Sequence, residues 1–185
     1  VVYQKPMELL LDSKIGTGYI WNKVFRREAI GNVRLDESIV YSEDQLFIVE
    51  VLFATTLAVV VPQVFYHYMQ RQGSLSWQDG NYEIWQGNFR ARQLIYKMVI
   101  EKSSDKRLQQ YAFSEYVKAI FALLRYTIKY RDKDEYNRII KTYKSDINEY
   151  VHDGPLTLGK KIEYSSYSNS YRVASLIHYY PKHIR

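Results

Sequence analysis

The chain contains no cysteine in its 185 residues. Disulfides, thiolate metal sites and thiol nucleophiles are therefore excluded, and the composition suits a reducing, cytoplasmic setting. Proline (4) and glycine (8) are both few, and no low-complexity linker or internal repeat interrupts the chain. No apolar run reaches the roughly 18 residues that a membrane-crossing helix requires. The longest, residues 51–61, is interrupted by Thr55 and Thr56 and stopped by Pro62. Pro6 and Glu8 break the first apolar residues, so the start does not read as a signal peptide. These absences predict a soluble, cytoplasmic chain.

What is present is enough for one domain with a real core, or for most of one. Hydrophobic residues make up 46% and charged residues 25%, as in ordinary globular proteins. The net charge of +6 suits an anionic partner such as a sugar nucleotide, a phosphorylated lipid or an acidic membrane surface. Much of the excess lies late, in Lys160, Lys161, Arg172, Lys182 and Arg185. No nucleic-acid-binding motif accompanies it, so nucleic acid is not an expected partner. The 19 tyrosines cover apolar surface while keeping a hydroxyl in water, which suits sugar stacking and membrane interfaces. A compositional bias of the source accounts for them equally well.

Two regimes succeed one another, with a change near residues 77–80. Before it, Pro6 opens a short helix over residues 7–11. Residues 20–25 read as a strand or a strand-to-helix corner. Ser42 and Gln45 match a capping box that opens a helix through about residue 54. The β-branched run 57–61 predicts a buried strand and residues 64–69 a second one. After the change, apolar residues three and four apart predict helices over 82–101, 105–130 and 134–150. In the middle one, Tyr116, Ile120, Leu123 and Leu124 form one stripe, and Phe113, Val117 and Phe121 another, so it should lie between other elements. Gly154-Pro155 breaks the pattern, and residues 170–180 predict a last amphipathic helix.

Candidate chemistry starts from Ser42-Glu43-Asp44-Gln45-Leu46-Phe47. Carboxylates in a first helical turn are favoured by unpaired amides and the helix dipole, which alone explains Glu43 and Asp44. The same position lets a carboxylate face a ligand cleft and take a proton. Trp21-Asn22-Lys23 reads by itself as a core tryptophan with two polar neighbours. Alternation in residues 65–69 reads as a half-buried strand, with His67 structural. Asp132-Lys133-Asp134 has the Asp-x-Asp pattern of a metal site, but no apolar strand precedes it, and a cap in a charged turn between helices explains it.

In order and spacing, Gly18-Tyr19-Ile20-Trp21-Asn22-Lys23-Val24-Phe25, the Glu43-Asp44 pair, Phe65-Tyr66-His67-Tyr68 and Arg71-Gln72-Gly73-Ser74 resemble the acceptor-side half of family 2 glycosyltransferases of the GT-A fold. The resemblance covers roughly residues 17–76. It implies an α/β fold: a partial GT-A nucleotide-diphospho-sugar transferase sheet in residues 1–78, followed by a mostly helical extension in 79–185, helix-dominated overall. It also implies an inverting transfer from a nucleotide sugar to a glycan or lipid-linked acceptor, with Asp44 as base and Glu43 beside it. Trp21, Asn22 and Lys23 would lie at the acceptor site, Arg71 and Ser74 would close the cleft, and His67 is a weak candidate metal ligand. Many relatives carry arginine where Met69 stands, and Arg71 is the candidate for that role.

The family's Pro-x-Tyr-Asn strand end and its strand-borne Asp-x-Asp do not occur here. The resemblance therefore implies a piece lacking the donor-binding half and inactive alone, with the main ligands of a divalent cation (Mg or Mn) outside this sequence. The Gln-x-x-Arg-Trp pattern of processive synthases is also missing, which points to single-sugar addition. The alternative is a non-catalytic, basic, tyrosine-rich helical module whose end, residues 170–185, docks peripherally at the inner face of a membrane or on an acidic partner.

Overall fold

The computed structural model describes residues 1–12, 18–67, 69 and 81–179. The chain forms two compact units, Val1–Ala112 and Phe113–Arg185. The division expected between residues 78 and 79 lies outside the described residues.

In unit 1, strands β1 (Val2–Tyr3) and β2 (Ala58–Val59) pair antiparallel, Val2 opposite Val59 and Tyr3 opposite Ala58. The Val1 nitrogen donates to the Val60 carbonyl at 2.7 Å, and the Val60 amide donates back to the Val1 carbonyl at 2.8 Å. A 3-10 helix follows at Pro6–Leu11, burying Leu9 and Leu10. A single turn, α1 (Arg27–Ile30), ends at Gly31 with φ 51°, a left-handed conformation that glycine adopts without a Cβ clash.

The core of unit 1 is α2 (Glu43–Ala54), which buries Leu46, Ile48, Val49, Val51 and Leu52. Apolar residues on several faces of one helix require cover on several sides. Part of it comes from α3 (Tyr82–Lys102), capped by Asn81, whose Oδ1 accepts from the Ile84 amide at 3.0 Å. Ile84, Gly87, Ala91, Ile95 and Val99, three and four apart, are its buried stripe. A Cβ on Gly87 would stand 3.0 Å from the Tyr41 nitrogen and 3.3 Å from the Val40 nitrogen, tighter than ordinary contacts, so glycine lets that loop lie close on α3.

The partial GT-A sheet is contradicted. Among the described residues the only sheet is the two-stranded pairing of β1 with β2, and the protein is mostly helical. Leu57, Val59 and Val61 are exposed rather than buried in a strand. Residues 64–67 and 69 belong to no strand, with Val64 73% and Phe65 81% exposed, and Tyr68 lies outside the described residues. Residues 20–25 form turns and irregular backbone. The reason is physical: β propensity expresses packing against neighbouring strands and a covering layer. A partner of two residues supplies neither, and a two-stranded ribbon is marginal by itself.

Unit 2 takes up the end of α4 (Lys106–Lys129), then α5 (Lys133–Asp153), α6 (Leu158–Asn169) and α7 (Tyr171–Tyr179). Both expected stripes of α4 turn inward: Tyr116, Val117, Ile120, Phe121, Leu123 and Leu124 are buried and Phe113 is half-buried. Asp132 caps α5, its Oδ1 accepting from the Glu135 amide at 3.0 Å. Helix α6 was not foreseen; its Thr157 cap accepts from the Lys160 amide at 3.4 Å.

Buried phenols hold unit 2 together. Tyr136 donates to the Tyr167 carbonyl at 2.6 Å, Tyr116 donates to Asp146 at 2.8 Å, and the Tyr150 and Ser114 hydroxyls share a 3.0 Å hydrogen bond. The Phe121 and Tyr164 rings stack at 3.9 Å and 16°. Burial pushes the Tyr136 hydroxyl pKa well above its ordinary value, with Tyr167 and Tyr171 adding to the rise.

Candidate functional site at the mouth of α2

The N-terminus of α2 is built differently from a capping box. Ser42 sits in the left-handed region with φ 70° and makes no side-chain cap. Its hydroxyl instead hydrogen-bonds Asn88 Oδ1 of α3 at 3.0 Å. The backbone N–H groups of Gln45, of Ile20 and of Asp44 itself lie near enough to the Asp44 carboxylate to favour its charged form.

That arrangement sets the acidity of Asp44. Helix-end amides and a nearby cation stabilise a carboxylate, and burial opposes them. Here burial dominates and the Asp44 pKa is raised, although the Gln45 amide, the charge of Lys23 and the Ile20 amide all pull it down. The helix mouth alone would have kept this group a very weak base; partial burial makes it a better proton acceptor.

Lys23 is the counter-charge. Its ammonium donates to the Tyr19 carbonyl at 2.6 Å and to Asn22 Oδ1 at 2.7 Å. Burial pulls its pKa down to about 8, against the upward influence of Asp44. Next to Lys23 in sequence, the Trp21 ring stacks with Tyr19 at 5.3 Å and 28° and with Tyr66 at 5.2 Å and 30°. Offset rings at such spacings attract, which fixes a three-ring shelf. Tyr19 and Tyr66 keep about half their surface in solvent.

Trp21, Asn22, Lys23 and Asp44, chosen from the sequence, are therefore brought into one neighbourhood. Glu43 is half-buried in the same first turn. His67 is exposed and outside any strand, and Arg71 and Ser74 lie outside the described residues. Among the described residues no group of three or more His, Asp or Glu could hold a metal ion. Tyr19 was not singled out from the sequence, although its i, i+2 spacing from Trp21 in a short non-helical segment was a usable signal. The role of Asn88 left no signal, because its partner is 46 positions away. An open recess of about 260 Å3, lined in part by Pro6, Leu52, Phe53 and Lys102, lies at the other end of α2. It contributes nothing to this site.

No protein-family model, curated protein or solved structure matches the chain. Among the described residues no helix is long and apolar enough to cross a membrane.

Proposed function

We propose that this chain carries the acceptor-side centre of an inverting glycosyltransferase of the family 2 type, with Asp44 as the base. In the reaction, an acceptor hydroxyl oxygen forms a bond to the anomeric carbon of the donor sugar. The bond from that carbon to the diphosphate breaks, and the nucleoside diphosphate leaves with the electron pair. The hydroxyl proton passes to the Asp44 carboxylate. Lys23 keeps that carboxylate ionised between turnovers, and the shelf of Tyr19, Trp21 and Tyr66 offers an apolar face against which a glycan or lipid-linked acceptor could rest. Binding of the nucleotide sugar is assigned to residues outside this sequence.

The observation that supports this reading is the approach of Lys23 to a carboxylate more than twenty positions away, in a setting that raises that carboxylate's pKa. A purely structural first-turn carboxylate needs only amides. The test is Asp44→Asn in the enzyme that contains this chain. Transfer should fall by about 10²- to 10⁴-fold, the usual contribution of a positioned base, with nucleotide-sugar binding unchanged by calorimetry. Turnover at the wild-type rate would remove Asp44 from the mechanism.

A further inference from the structure

Helices α6 and α7 turn their small and aromatic residues inward: Tyr164, Ser166 and Tyr167 from α6, and Ala174 from α7. Their outward residues are not the polar ones that a solvated face would carry. Leu158 is 76% exposed and Ile162, one helical turn on, 59%; Val173 is 41% exposed and Leu176, three positions on, 62%. Residues three and four apart share a helix face, so each helix carries its own outward apolar pair.

The charges on these helices are one-sided. Lys160, Lys161 and Arg172 are cationic, while the only carboxylate within α6 and α7 is Glu163. Glu163 is already engaged, by Lys160 at 2.6 Å and by Arg125 at 3.5 Å. Apolar residues that would leave water, edged by cations with no uncommitted carboxylate among them, match one kind of surface: an anionic lipid headgroup layer over acyl chains.

We propose that the outward face of α6 and α7 docks this chain on an anionic phospholipid surface. Leu158, Ile162, Val173 and Leu176 enter the boundary between headgroups and acyl chains, and Lys161 and Arg172 face the phosphates, the Lys160 ammonium being paired with Glu163. The helices lie on the bilayer rather than across it, since neither is long enough to span. The inference is independent of the Asp44 site, which lies in the other compact unit.

The test is co-sedimentation of the full chain with phosphatidylcholine vesicles, with and without phosphatidylserine. Pelleting is expected only with the anionic vesicles and should weaken as salt is raised. Leu158→Ser with Ile162→Ser, and separately Val173→Ser with Leu176→Ser, should each lower partitioning by about tenfold or more. Their melting temperatures should not change, because the side chains are exposed. Arg172→Glu should weaken binding to anionic vesicles with the same unchanged melting. No pelleting by the wild type, equal pelleting with neutral vesicles, or serine variants that bind as well as the wild type would each overturn the proposal. A dimer in light scattering that the serine variants dissociate would give this face to a second copy and overturn it too. Transfer to a water-soluble acceptor should be indifferent to all these variants, so failure here would leave the role of Asp44 standing.

Discussion

Unit 2 buries Tyr136, Tyr150, Tyr164 and Tyr167 and gives their hydroxyls partners in a carbonyl, a serine and a guanidinium. Unit 1 leaves Tyr19, Trp21, Phe65 and Tyr66 at its surface. The same residue class thus serves two purposes. A phenol inside a helix bundle adds a large apolar body and must find a partner for its hydroxyl, because a buried unpaired polar group costs about 1 to 3 kcal/mol. Among the described residues no buried side-chain nitrogen or oxygen lacks a partner. A ring left at the surface and stacked on its neighbours adds little to stability. Its value is as a contact face, and in unit 1 that face adjoins the Asp44–Lys23 pair.

The contrast can be broken first at its strongest point. Truncating Tyr167→Ala should destabilise unit 2 by about 3 to 5 kcal/mol, the range for a buried aromatic. Phe65→Ala in unit 1 should change stability by no more than about 0.5 kcal/mol. Thermal unfolding of both variants checks the pair, and equal losses would erase the distinction. Next in size, Gly87→Ala should cost about 1 to 3 kcal/mol by overpacking against the backbone of residues 40 and 41. Its melting temperature should drop although alanine is the better helix former. Smallest is Asn88→Ala, which removes the acceptor of the Ser42 hydroxyl and should cost about 1 kcal/mol. A capping box at Ser42 would be indifferent to Asn88, so an unchanged melting curve would restore that simpler start for α2.

The helices were legible because their signal is local. Residues 82–102, 106–129 and 133–153 each carry an apolar period close to 3.6, residues 43–54 are a nearly unbroken apolar run behind an acidic first turn, and a cap at Asp132 or Asp134 is readable from the neighbours alone. Helix α6 escaped notice because Gly159 and the serines at 165, 166 and 168 dilute its pattern. The strands were legible only in part: β2 falls within the run 57–61 but is two residues long, and 64–69 yields none among the described residues. The run 57–61 has the composition of a buried strand, but strand formation depends on what lies beside it, and β1 offers only Val2 and Tyr3. At the site, the residue types and their neighbourhood were readable as a motif. The direction of the Asp44 shift was not, because a sequence displays the helix dipole but not the burial that overrides it.

Linkage between Lys23 and Asp44 can be followed by pH. Lys23 titrates near 8 in the folded chain against 10.5 ordinarily. Below about pH 8 the fold therefore carries the penalty of a buried ammonium, and its stability rises as the pH increases from about 8 to 10.5, where only the unfolded chain still binds that proton. Asp44 behaves in the opposite sense: its pKa is raised, so stability falls as the pH rises from 3.8 through its folded value.

For the proposed transferase, the most direct test is the pH dependence of sugar transfer, compared with that of the Lys23→Met variant. With Asp44 as base, the rate climbs as that carboxylate ionises. Removing the neighbouring cation should move the acid limb to higher pH while leaving the plateau reachable. An acid limb unmoved by Lys23→Met would contradict a base held ready by Lys23.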